Sequence, residues 1–195
     1  SGYSQTFSVG EISDGGNGYG VTIGSTSVNG YVRFTATNTY TGPTRVLHGA
    51  ALYIDVANAI DSSSQVTIAN GATGANYTSS ASDLRIKNGL TISKDITLAG
   101  GRILVDSGSA TYSGVITMTY DSAIGGYAAS STLTMSGSIA ESGGAKVLYH
   151  DGWALSNKVV LGGTNTYTGV TNVRTGTLQL SNSLSLGSSS GVTVS

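Results

Sequence analysis

The sequence predicts an all-β solenoid, and three observations lead there: a succession of very short strand signals, an internal repeat, and a surface made of small neutral residues. The strand signals come first. Val21-Thr22-Ile23, Tyr31-Val32-Arg33-Phe34, Leu52-Tyr53-Ile54, Val66-Thr67-Ile68, Leu84-Arg85-Ile86, Leu90-Thr91-Ile92 and Ile96-Thr97-Leu98 alternate with period two. Ile103-Leu104-Val105, Val115-Ile116-Thr117-Met118, Leu133-Thr134-Met135, Val147-Leu148, Val159-Val160-Leu161, Leu178-Gln179-Leu180 and Val192-Thr193-Val194 continue the series, each bounded by Gly, Ser, Asn or Asp. Strands of three or four residues are too short for a free-standing meander. They suit a coil in which each strand stacks on its equivalent in the next turn. At about 20 to 25 residues per rung and 4.8 Å between rungs, the chain makes roughly eight rungs and a rod near 40 Å long.

The repeat is the most specific feature. Asn38-Thr39-Tyr40-Thr41-Gly42-Pro43-Thr44-Arg45-Val46 recurs 127 positions later as Asn165-Thr166-Tyr167-Thr168-Gly169-Val170-Thr171-Asn172-Val173. Gly49 then aligns with Gly176. After a one-residue slip, Leu52, Ile54, Ile60, Ser62-Ser63-Ser64 and Val66-Thr67-Ile68 align with Leu178, Leu180, Leu186, Ser188-Ser189-Ser190 and Val192-Thr193-Val194. Weaker echoes fall at Asn76-Tyr77-Thr78 and Thr111-Tyr112-Ser113-Gly114. The predicted organisation is one solenoid domain over 1–195: a repeat unit over 5–70, a divergent middle over 71–130 and a second unit over 131–195. In the repeated unit Tyr is expected at a corner, Gly supplies a backbone angle that a side chain resists, and Asn ladders with Asn above it.

Composition narrows the function classes. The 195 residues include 29 Gly, one Pro and no Cys; only 10% are charged, and the formal net charge is −1. Nine Lys and Arg spread over this length cannot form the basic stripe that phosphate binding needs, so no nucleic-acid partner is expected. The absence of Cys excludes disulfides, thiolate metal sites and a cysteine nucleophile. Ser1-Gly2-Tyr3-Ser4-Gln5 has neither a basic nor an apolar run, and no apolar stretch reaches membrane-spanning length. No cofactor and no metal centre are expected, since His48 and His150 sit in no ligand cluster and the Asp residues are scattered.

Leu161-Gly162-Gly163-Thr164-Asn165-Thr166-Tyr167-Thr168-Gly169-Val170-Thr171, followed by Val173 and Gly176-Thr177-Leu178, resembles the autotransporter-associated β-strand repeat of bacterial passenger domains. Leu133 to Gly144 is similar to the strand, turn and Gly-Gly element that precedes this unit in that family. Phe7 to Gly16 is a matching lead-in to the first copy. The resemblance implies a right-handed parallel β-helix in an exported, cell-surface passenger, acting as a stalk or adhesin with no catalytic residues of its own. It implies contact with the outer membrane only through a β-barrel not in this chain. Two departures are the segment Ala145 to Trp153, where the family carries a Gly-rich connection, and Pro43.

Two further readings stand beside this one. Val192 to Ser195 ends within a strand pattern with no polar cap, which predicts either a longer chain or end-to-end self-association into a filament. Arg85-Ile86-Lys87, with His48-Gly49 upstream, is similar to elements of polygalacturonases, which act on acidic polysaccharides. Against that, the chain has no Asp-Asp pair and no Asn-Thr-Asp for acid and base work. Period two instead predicts that Arg85 and Lys87 flank an inward Ile86 and point to water. His150-Asp151 is expected in a turn, with no nucleophile elbow near it. Tyr40 and Tyr167 are expected in a stacked structural ladder. Tyr112, Tyr120, Tyr127 and above all Tyr149 and Trp153 are the candidates for a contact surface toward a glycan or a cell-surface ligand.

Overall fold

In a computed structural model, which describes residues 6–25, 30–71 and 73–195, every regular element is a strand, and the strands form three parallel sheets. The reading of Ser1 to Gln5 lies outside the described residues. With strands numbered in chain order, the nine-stranded sheet stacks β1 (Thr6–Val9), β3 (Tyr31–Phe34), β5 (Ala51–Ile54), β7 (Asp83–Ile86), β10 (Arg102–Val105), β13 (Ser122–Gly126), β16 (Leu148–His150), β18 (Thr171–Val173) and β20 (Val192–Val194). The six-stranded sheet stacks β2 (Val21–Ile23), β4 (Thr44–Val46), β6 (Val66–Ala69), β9 (Ile96–Ala99), β12 (Ile116–Tyr120) and β15 (Ile139–Glu141). The five-stranded sheet stacks β8 (Thr91–Ile92), β11 (Ser109–Tyr112), β14 (Thr132–Met135), β17 (Lys158–Leu161) and β19 (Thr177–Leu180). Nine strands of one sheet joined by eight crossovers make a β-solenoid of about eight turns.

Parallel in-register stacking turns the period-two pattern into columns. Leu52, Leu84, Ile103 and Ile124 stand one above another facing inward, as do Phe34, Ile54, Ile86 and Val105. All eight are buried. One apolar cluster runs from Ile23 to Tyr167, so each short strand from β2 to β18 buries a side chain or two against its neighbours above and below, while β1, β19 and β20 at the two ends bury none.

The repeated unit does the same work in both copies. Asn38 accepts from the Ile12 amide at 2.8 Å and donates to the Ala59 carbonyl at 2.7 Å; Asn165 accepts from the Ile139 amide at 2.8 Å and donates to the Ser185 carbonyl. Each asparagine thus ties the rung before it to the rung after it. Tyr40 and Tyr167 are buried, with their hydroxyls on Thr44 at 2.5 Å and Thr171 at 2.8 Å. Thr39 and Thr166 face out. Thr41 gives its amide and hydroxyl to the Asp14 carboxylate, and Thr168 gives the same two groups to Glu141. The Thr41 amide leads a set of donors that hold Asp14 down at about 2 against the opposing effect of burial.

Three expectations about this unit are corrected. Gly42 and Gly169 have no left-handed backbone; a Cβ there would collide with backbone of the preceding rung, Gly18 and Tyr19 in one case and Lys146 in the other. The asparagines bond to main chain and not to one another. Tyr40 and Tyr167 form no ladder, since each is a separate core residue several rungs from the other. Of the two echoes, Tyr112 follows the pattern: it is buried beside Gly114, which also meets the rung before it, so it leaves the contact-surface candidates. Tyr77 does not follow the pattern and lies outside the main core.

The copies are also rotated. Elements of the first on the six-stranded sheet, β2, β4 and β6, correspond to β16, β18 and β20 on the nine-stranded one. The first copy's β3 and β5 correspond to β17 and β19 on the five-stranded sheet. The 127-residue spacing therefore advances the chain by five turns and one face.

Candidate functional site

The outward columns of the nine-stranded sheet break the small-polar rule. From rung to rung they present Tyr31 and Arg33 on β3, Tyr53 on β5, Asp83 and Arg85 on β7, and Arg102 on β10. Tyr149 follows on β16, and Arg174 just after β18. Four of the five arginines of the chain gather on this face.

Two departures from regular coiling cover its middle. The step from Ala51 to its partner Asp83 spans 32 residues, against 19 to 26 for the other steps along that column. The surplus lays Tyr77 and the rim Ser79, Ser80 and Ala81 over the sheet. On the other side, β13 carries Gly125 and Gly126, and a Cβ on Gly125 would reach the Asp151 carbonyl and the Gly152 amide at 2.9 to 3.0 Å. The segment after β16 thus crosses close to the sheet, and the Trp153 amide is anchored on the Gly126 carbonyl at 3.0 Å.

Under this cover lies a buried charge cluster. Asp83 accepts Arg102 Nε on one oxygen at 2.6 Å and Arg85 Nε and Nη2 on the other at 3.1 and 2.8 Å. The three residues are only 3 to 5% exposed. Burial disfavours both guanidinium charges, and Asp83 together with the neighbouring tyrosines more than offsets it, raising both above the ordinary arginine value. Arg85 also reaches the Tyr53 hydroxyl at 2.7 Å and lies 3.9 Å over the Tyr127 ring, while Arg102 lies 5.2 Å over Trp153. Further along, Arg174 stacks 4.0 Å over Tyr149, which packs on Tyr77. Burial first, and the Asp151 carboxylate at 3.0 Å, push the Tyr77 hydroxyl up to about 12 against the pull of Arg102. The expectation that Arg85 points to water is therefore corrected: its strand position faces out, but loops close over it. Lys87 does face solvent.

Trp153 stands 58% exposed above a cleft of about 150 Å³ lined by Tyr31, Asp83, Arg85, Arg102 and the rim serines. Tyr149 sits half-buried beside Arg174. Tyr127 is exposed and edge-on to Trp153, whereas Tyr120 lies off this sheet, on β12. A wider, more open hollow of about 460 Å³ at Asp61, Ser64, Ser93, Lys94 and Asp95 offers less chemistry. The Lys94 ammonium is held by the Asp61 and Ser63 carbonyls, and Asp95 accepts the Val115 amide.

His150 ends strand β16 and is not in a turn. It takes an inward place between Ile124 and Val173. The amide nitrogen of Asn157 donates to Ala154, so its oxygen accepts from His150 Nε2 at 2.7 Å, leaving Nδ1 buried without a partner. Burial lowers the His150 pKa against the pull of Asn157 and Asp151. The unfolded imidazole thus takes up a proton first, and stability falls as pH drops below about 6.5, by about 1.4 kcal/mol per unit until the folded imidazole also titrates. Urea midpoints at pH 7.5, 6.0 and 5.0 should fall in the native chain and flatten in His150→Leu; an equal fall in both would refute the assignment.

The structure thus defines a β-solenoid with one decorated sheet face. Comparison with family models, curated proteins and solved structures found no match.

Proposed function

We propose that the chain is a non-enzymatic, extracellular structural and adhesive segment of a bacterial autotransporter-like passenger, a rod that holds a binding face away from the cell. One observation carries this reading. The unit that resembles the passenger repeat makes the same rung-to-rung bonds in both copies, through Asn38 and Asn165 and through Thr41 and Thr168. Such a unit serves the coil itself, as a repeat selected for building length would. The non-enzymatic part is supported by the cleft's chemistry: among the described residues Asp83 is the one carboxylate lining it, both of its oxygens are bonded to guanidinium groups, and glycoside cleavage ordinarily uses two carboxylates.

The test is display. Fused between an export signal and an autotransporter β-barrel, the chain should be labelled by antibody on intact cells and trimmed by added protease. A folded chain retained in the periplasm would overturn the passenger reading.

A further inference from the structure

We propose that the cleft over β7 and β10 binds the carboxylate-bearing sugar units of an acidic glycan, with Arg102 taking the carboxylate and Trp153 the face of the ring. This inference extends the adhesive half of the function above and stands independently of export.

The internal repeat shows that the fold does not require three of the residues of this face. Tyr31, Arg33 and Tyr53 are matched in the second copy, on strands of the same length and register, by Lys158, Val160 and Gln179. A solenoid strand forms with either set, so Tyr31, Arg33 and Tyr53 answer a demand other than coiling.

Donor accounting then points to a ligand. Arg102 is 4% exposed and has five N–H groups. Nε is taken by Asp83, Nη1 reaches the Tyr77 hydroxyl only at 3.5 Å, and Nη2 has no partner among the described residues. Arg102 lines the cleft, and this is where that donor pair has room for a partner. A guanidinium edge with an unused donor pair, in a cleft holding two Arg and one Asp, favours an anion of planar oxygen geometry. Asp83 cannot cancel that preference further, since both of its oxygens already accept.

The walls specify what carries the anion. Trp153 offers an exposed ring, Tyr31 also lines the cleft, and the exposed Ser79 and Ser80 supply hydroxyls that match ring hydroxyls in either donor sense. A volume of about 150 Å³ equals about five waters at 30 Å³ each, room for the polar side of one sugar ring. Arg33 over Tyr53 and Arg174 over Tyr149 lie on the same sheet at other rungs, so a glycan laid along the solenoid axis meets aromatic and guanidinium groups in series.

The experiment is isothermal titration of the 195-residue chain with a glucuronic acid oligomer, its carboxyl-reduced glucose counterpart, and acetate. The acidic oligomer should bind and the reduced one at least tenfold more weakly. Trp153→Ala, at an exposed side chain, should weaken the acidic oligomer at least tenfold without moving the urea midpoint. Arg102→Lys, checked for an intact fold by circular dichroism, should weaken it too, because a lysine keeps the charge and loses the fork. Equal binding of the reduced oligomer, acetate competing as well as the oligomer, an unaffected Trp153→Ala, or no heat with any probe would each overturn the proposal. Failure of surface display leaves all of these readouts unchanged, so the two ideas fail separately.

Discussion

Asp83→Ala should lower the unfolding free energy by about 3 to 5 kcal/mol, among the largest losses any single side chain of this protein can cause, because it strands two buried guanidinium groups at once. Arg85 and Arg102 each have Asp83 as their only carboxylate partner among the described residues, at 2.8 and 2.6 Å, and have little water to turn to. The second-site variant Asp83→Ala/Arg102→Met should recover part of the loss, since it removes one of the stranded charges. Urea unfolding of the three proteins checks this. A single-variant loss below about 1 kcal/mol, the range of an exposed pair, would mean that the cluster is open to solvent.

Gly169→Ala should cost about 3 kcal/mol, and as much in Gly42→Ala, through a different mechanism. A methyl group at either position presses on the main chain of the preceding rung, which cannot rotate away as a side chain would. Gly10→Ala is the control: its Cβ meets nothing within 4 Å and its backbone is not left-handed, so it should stay within about 0.5 kcal/mol of the native chain. Equal midpoints for Gly169→Ala and Gly10→Ala would show that the rungs can separate locally without loss.

Much of the coil was legible in the sequence. Strands that alternate Val, Ile or Leu with polar residues, such as Tyr31–Phe34 and Ile96–Ala99, were found because apolar periodicity and β propensity agree there. The strand Ser122–Gly126 was missed: it ends in two glycines and is held in place by pairing with β10 and β16, not by its own propensity. Thr44–Val46 and Thr171–Val173 were seen only as parts of the repeat, since three residues give no period.

The repeat unit was legible as a motif but not in its mechanism, because close approach of two backbones leaves the same glycine signature as an unusual backbone angle. The decorated face was half legible. Trp153 and Tyr149 were singled out as rare aromatics; Tyr149 lies on the nine-stranded sheet and Trp153 in the segment that crosses over it. Asp83, Arg85 and Arg102 were not gathered, because period two reports only which way a side chain leaves the strand. Whether a distant loop then covers it depends on the extra length between β6 and β7, which local pattern does not reveal. A usable signal was present: Arg33 and Arg85 fall within predicted strands and Arg102 immediately before one, in a chain with only five arginines.

The offset between the two copies has a consequence for shape. Because the second copy begins a face further round than the first, copies added at the same 127-residue offset wind about the rod as a spiral stair does, returning to the starting side after three. A longer rod of this design has no back: some tread always turns toward an approaching surface, whatever the rotation of the shaft.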